Sequence, residues 1–180
     1  MDAKEQIGIL IEKARKAQHE LEKCNQQQID SYVRAIAKVV YDNADPLAKM
    51  AAEETRMGVY EDKINKNKGK AKVIWNSLKG VPSVGIVERN KETGITVIAR
   101  PVGVVGASTP CTNPIVTPMC NSMFAIKGRN AIIISPHPRA KNVNKYLIDL
   151  MNAELAKLGA PKDIIQTIES PSIEASAELM

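Results

Sequence analysis

Through residues 1–80 the apolar positions recur at helical spacing. In QIGILIEKARKAQHELEK, Ile7, Leu10, Ile11, Ala14, Ala17 and Leu21 are three or four residues apart, which places them on one helix face. A second stripe, Ile29, Tyr32, Val33, Ile36 and Val40, follows Asn25. An asparagine there can cap a helix, because its side-chain oxygen accepts from freed backbone N–H groups. Asp45-Pro46 reads as a third start, a cap followed by proline at the first helical position. That helix, LAKMAAEETRM, should stop near Gly58. A fourth should run from about Tyr60 to about Gly80, carrying KINKNKGKAK and Trp75.

The period changes at residue 84. VGIVER and ITVIAR are short β-type runs joined by NKETG, which predicts a hairpin over residues 83–100. Its two-residue alternation is imperfect, as expected of strands partly covered on both faces. A sheet edge here is suited to pairing with a second subunit. From Pro101 onward strands and helices alternate. Strands are expected at Val102–Ala107, Ala131–Ile134 and Ile164–Ile168, with helices at Pro114–Lys127 and Arg139–Leu158. Gly159-Ala160-Pro161 is a helix stop, and Ser172–Met180 begins another helix. This βαβαβ order demands a parallel sheet with right-handed crossovers. The fold class is therefore α/β: N-terminal helices, a hairpin, then an incomplete Rossmann-like sheet. Residues 1–82 and 101–180 are expected to form one domain. Pro118 lacks an N–H for the carbonyl four residues back, so the regular helix either starts near it or bends in its first turn.

Composition narrows the function classes. A chain of 180 residues supports one full core. Aromatic residues make up only 3%, so that core must be aliphatic. The net charge of +5 and pI near 9.1 raise nucleic acid as a partner. Basic residues are instead spread along the chain, and the densest group, Lys63 to Lys72, has no interleaved aromatics. That group reads as a solvated helix face in preference to a docking site for an anion. Cys24, Cys111 and Cys120, with His19 and His137, follow no metal or disulfide spacing. No apolar run approaches the roughly 18 residues of a membrane span. MDAKEQ lacks a signal peptide's features. The expectation is a cytosolic protein with reduced thiols, binding neither membrane nor nucleic acid.

Two junctions carry the candidate chemistry. TPCTNP, Thr109–Pro114, follows the apolar run PVGVVGAS and precedes a helix. Ligands of parallel α/β sheets bind beyond the carboxyl ends of strands, where helix N–H groups favour negative charge. Thr109, Thr112 and Asn113 can donate side-chain hydrogen bonds there; the same residues also suit a plain cap and tight turn. SPHP, Ser135–Pro138, closes the next strand, and Ser135 and His137 could reach a ligand spread over both turns. GVVGAS is not GxGxxG, and no P-loop lysine-serine pair exists. A helix N-terminus would lower the Cys111 thiol pKa, but no histidine or carboxylate has a claim to be its base. Cys111 reads as pocket wall, and Cys120, between Met119 and Met123 on a helix, as packing.

ARPVGVVGASTPCTNPIVTPMCNSMFAIKGRNAIIISPHPRAK resembles the cofactor-binding segment of CoA-acylating aldehyde dehydrogenases. PxTNP followed by KxRNxIIxSPHPRAK is a specific pair. EETRMGVYEDKINKN and LGAPKDIIQTIESPSIEASAELM extend the likeness over nearly the whole chain. VVYDNA, MGVYEDK, IWN and TPMCN lean towards the CoA-dependent succinate-semialdehyde branch. The resemblance implies NAD or NADP as cofactor and CoA as co-substrate. In the family a cysteine thiolate attacks the aldehyde, hydride leaves for NAD(P)+, and CoA accepts the acyl group. It implies that Ser108, Thr109, Pro110, Cys111, Thr112 and Asn113 line the dinucleotide site near the nicotinamide. Ser135, Pro136, His137 and Pro138 would lie near the adenosine end. Hydrolytic aldehyde dehydrogenases carry PWNFP at this turn; here Thr112 takes the place of that asparagine, so an oxyanion role does not carry over to Asn113. The hydrolytic branch's ribose-side lysine and glutamate are replaced by Ser135 and Pro138. The family's glycine-rich turn and cysteine-bearing catalytic domain lie beyond Met180, so this chain alone is expected to be inactive and to bind cofactor weakly, and its hairpin is expected to join subunits of a homo-oligomer. The alternative is a non-catalytic assembly module that docks on full-length subunits.

Overall fold

The computed structural model describes residues 2–180. Four helices come first: α1 (Ala3–Leu21), α2 (Gln26–Asp42), α3 (Ala44–Thr55) and α4 (Tyr60–Leu78). The hairpin β1 (Gly85–Arg89) and β2 (Thr96–Ala99) follows. Then come β3 (Val104–Thr109), α5 (Val116–Lys127), β4 (Ala131–Pro136), α6 (Lys141–Lys157), β5 (Ile165–Thr167) and α7 (Ile173–Leu179). β3, β4 and β5 form a parallel sheet in that order, and the hairpin is a separate antiparallel pair.

β4 sits between its two neighbours and is buried along its whole length. Successive side chains of a strand point to opposite faces, so AIIISP feeds two cores. Ile132 and Ile134 join the larger one, with Ile29, Val33 and Ile36 of α2, Met119 and Met123 of α5, and Leu147 and Met151 of α6. Ala131 and Ile133 join the smaller one, with Ile7 and Ala14 of α1 and Ala175 of α7. The sheet is thus covered on both faces, as a parallel sheet requires. At Gly106 on β3 the cover is close: a Cβ there would lie 3.2 Å from Leu179 Cγ and 3.3 Å from its carbonyl oxygen.

The helix starts differ from the sequence reading at two places. α2 has the expected cap, a capping box between Asn25 and Gln28. Asp45 does not cap α3. That helix begins at Ala44, which is fully buried, and Asp45 lies inside the first turn, where its carboxylate accepts from the Tyr60 hydroxyl. Pro46 is tolerated because the first N–H groups of any helix lack intrahelical partners. The same reasoning resolves Pro118. α5 begins at Val116, not Pro114, so Pro118 stands in its first turn. Thr117 and Met119 still donate to Asn113 and Ile115, and no bond of the regular helix is lost. A 3-10 turn, Pro138–Ala140, precedes α6. The hairpin is mostly exposed instead of partly covered on both faces; a register shift between Ile86 and Glu88 accounts for the broken alternation.

Much of KGRN and SPHPRAK holds elements together. Lys127 ion-pairs with Asp30 of α2, with side-chain exposures of 7% and 26%. Arg129 donates to the carbonyls of Glu22 (2.8 Å) and Ala99 (3.3 Å). Asn130 Oδ1 accepts from the N–H groups of Val102 (2.7 Å) and Gly103 (3.0 Å) at the entry to β3. Arg139 donates to the Thr55 carbonyl at 2.5 Å.

Removing one member of a largely buried pair strands the other. Asp30 keeps some solvent, so Lys127→Met should cost about 2 kcal/mol of unfolding free energy, below the range for fully buried pairs. The double variant Lys127→Met/Asp30→Asn should recover much of it. Urea unfolding of the four proteins of the cycle measures the coupling, and additive single effects would contradict the pairing.

Candidate cofactor and ligand site at the strand ends

The parallel register sets Ser108 beside Ser135 and Thr109 beside Pro136. The two turns that follow are therefore neighbours at one rim of the sheet. They are joined directly: the His137 N–H donates to the Thr109 carbonyl at 3.0 Å.

The predicted residues divide by exposure. Ser108, Pro110 and Thr112 are exposed, and Thr109 is buried at the end of β3. Cys111 is half-buried, with its Sγ 3.5 Å from Met57 Sδ. Asn113 Oδ1 accepts from Lys66 Nζ at 2.5 Å, which leaves its amide NH2 for other partners. His137 and Pro138 are exposed. His137 Nδ1 accepts from the Arg139 N–H at 3.1 Å, so the neutral ring carries its proton on Nε2. Ser135 is set apart: it is buried, and its hydroxyl shares a 2.8 Å hydrogen bond with Ser176 of α7. Pro136 is buried as the last residue of β4.

The two helix N-termini beside the rim differ. At α6, Glu54 accepts from the N–H groups of Asn142 (2.9 Å) and Val143 (2.7 Å), so its carboxylate already occupies that positive end. α5 has no acidic residue in its first turn and no side-chain cap. Thr112, Asn113 and Lys66 around it supply donors. The positive end of α5 is thus left without an acidic partner, whereas that of α6 is already occupied. Among the described residues no group of three histidine, cysteine or carboxylate side chains could hold a metal.

The lysine-rich segment corrects the sequence reading in part. Lys66, Lys68, Lys70 and Lys72 are exposed, as a solvated face requires. Lys63 is buried, 6% exposed. It shares the inward face of α4 with Asn67 and Ala71, four and eight residues on. That spacing is the signal that marks it in the sequence, and the density of charge around it obscures it. Met57, Gly58, Val59, Asp62, Lys63, Lys66 and Thr112 line a cavity of about 380 Å3 beside the TPCTNP turn. Burial pushes the Lys63 pKa below its ordinary 10.5; Lys66 nearby adds to the shift, and Cys111 opposes it. Burial likewise pushes the Cys120 thiol up, in keeping with a packing role.

A lysine with a lowered folded pKa binds its proton less tightly in the native state than in the unfolded chain. Its presence should therefore make stability rise with pH from the lowered pKa towards 10.5. Lys63→Met should raise the urea midpoint at neutral pH and flatten that rise. An unchanged pH profile would contradict the burial of the charged group.

The whole chain, residues 1–180, matches the aldehyde dehydrogenase family. It is 57% identical over 174 residues to a succinate-semialdehyde dehydrogenase (acetylating) of Clostridium kluyveri, covering 97% of this chain and 38% of that protein. The fold superposes on an acetylating aldehyde dehydrogenase from Geobacillus thermoglucosidasius with a TM-score of 0.95, at 39% identity, covering 98% of this chain and 39% of the other. It also superposes on a propionaldehyde dehydrogenase of Rhodopseudomonas palustris with bound CoA and an acylated cysteine, with a TM-score of 0.82 at 34% identity, covering 95% of this chain and 39% of that one. The chain thus spans less than half the length of each of these proteins. A match along all of its residues, together with the α/β architecture these structures share, makes this chain a member of the aldehyde dehydrogenase family.

Proposed function

We propose that these residues are the dinucleotide-binding portion of an NAD(P)-dependent, CoA-acylating aldehyde dehydrogenase, which converts an aldehyde, CoA and NAD(P)+ to acyl-CoA and NAD(P)H. The observation that carries the reading is the continuous rim formed by the two strand ends, tied at His137 and Thr109. It lies where parallel α/β sheets take their ligands. Ser108–Asn113 would face the nicotinamide end, and Pro136–Pro138 the adenosine end, with Ser135 supporting from the second row. The acylating relatives support the CoA half of the reaction.

The bound cofactor would supply hydride acceptance. This chain's residues would position it, with donors at Thr112, Asn113 and Lys66. None of the three thiols is set up as a nucleophile. Cys111 rests against Met57, Cys24 lies 4.0 Å from the Tyr32 hydroxyl, and Cys120 is held protonated by burial. The attacking thiolate is therefore assigned to a part of the enzyme outside residues 1–180, and these residues alone should bind cofactor weakly without turning over aldehyde. We place the protein in the cytosol, where three free thiols stay reduced. No helix among the described residues is long and apolar enough to cross a membrane.

The hairpin is assigned to subunit contacts, with no role for nucleic acid. Ile86, Ile95, Val97 and Ile98 are all exposed on it, and neither strand pairs with the main sheet. Ile98→Lys should lower the apparent mass in analytical ultracentrifugation of any oligomer. An oligomer of unchanged mass would exclude the hairpin as its interface.

Titration with NAD+ and NADP+, followed by amide shifts, tests the cofactor reading. Saturable shifts are expected at the non-proline residues of 108–113 and at Ser135 and His137. Shifts confined to α4, or none that saturate, would overturn it.

A further inference from the structure

Lys63 is a largely buried side chain whose ammonium has no ionic partner among the described residues and keeps contact with the adjoining cavity. Neither it nor Lys66 forms an ion pair among the described residues. Lys66 spends one donor on Asn113, and an ammonium has three. Lys63 makes no side-chain hydrogen bond among the described residues, although it is more than nine-tenths buried. Its stem is packed and its charged end is only partly solvated, so an anion entering from the cavity would replace incomplete hydration with direct hydrogen bonds.

The surroundings leave its charged end approachable from one side. Both lysines line the cavity of about 380 Å3 together with Thr112, Met57, Gly58 and Val59. Gly58 has a φ of +75°, and a Cβ there would lie 3.4 Å from Lys63 Cε and 3.5 Å from its Nζ. The left-handed backbone is what favours glycine here; a Cβ would meet the lysine only at ordinary van der Waals distance. Asp62 is the one carboxylate on the lining, and it forms no ion pair with either lysine among the described residues.

We propose that Lys63 and Lys66, with the Thr112 hydroxyl, form a seat for an oxyanionic group of the ligand that lies against the TPCTNP turn. Its role in an aldehyde dehydrogenase rests on the proposed function; its existence does not. The shared chemistry is a compact oxyanion held by two ammonium groups. Two sources present such a group: the distal carboxylate of a short aldehyde such as succinate semialdehyde, and a phosphate of CoA or of the dinucleotide. Lowered basicity of Lys63 agrees with the geometry, since an incoming anion would restore its proton affinity.

The test titrates the 180-residue chain with succinate, inorganic phosphate and CoA in separate arms at constant ionic strength, following amide shifts. Saturable shifts are expected at Met57, Gly58, Val59, Lys63, Lys66 and Thr112 in at least one arm. Succinate saturating where CoA does not assigns the seat to the aldehyde's tail; phosphate and CoA saturating where succinate does not assigns it to a cofactor phosphate. Lys66→Gln, an exposed substitution that leaves the core intact, should weaken the saturating arm several-fold. Lys63→Gln/Lys66→Gln should weaken it by about tenfold or more. Linear shifts in all three arms, or affinities unchanged in both variants, would overturn the proposal. These residues report independently of Ser135 and His137. A chain that binds phosphate here but shows no NAD(P)+ response at Ser135 and His137 keeps the seat and loses the dinucleotide reading. The opposite pattern loses the seat alone.

Discussion

The burial of β4 on both faces governs the architecture. A six-residue strand with no exposed position must have a layer on each side. The larger layer comes from α2, α5 and α6, and the smaller from α1 and α7. The first helix of the chain and the last described one thus meet on the same face of the sheet, and the start of the chain is needed to bury residues that follow it by more than a hundred positions. The parallel arrangement has a second effect. It brings the carboxyl ends of β3 and β4 side by side, and two turns far apart in sequence become one rim.

Most of this architecture was legible in the sequence because it rests on periodicity. The stripes of α1 and α2, and the alternation of strand and helix after Pro101, are repeated signals that tertiary packing reinforces. The misplaced starts were single-residue judgements. Asp45-Pro46 looks like a cap and a first position, but burial of Ala44 draws the helix start earlier, and the freed first turn tolerates the proline. Pro118 is harmless for the same reason. The hairpin was placed well, while its exposure was not, because a bulge disrupts alternation in the way that two-sided cover would.

The site was less legible, since motif and role do not correspond one to one. KxRN and PHPRAK look like ligand-contacting signatures, yet Lys127, Arg129, Asn130 and Arg139 serve chiefly to join helices, hairpin and sheet. Ser135 faces α7. Lys63 lay within a run whose composition suggests solvent, and only its phase relative to Asn67 and Ala71 separates it from the other lysines. Charge density describes a segment, whereas burial is decided residue by residue.

Arg129 adopts a left-handed backbone, with φ of 59°, and its guanidinium reaches the carbonyl of Glu22 after α1 and that of Ala99 at the base of β2. One planar fork thereby clamps the root of the hairpin to the helical layer. The apolar ribbon leaves the body of the protein at a set angle, so any surface that receives it must match a direction as well as a shape.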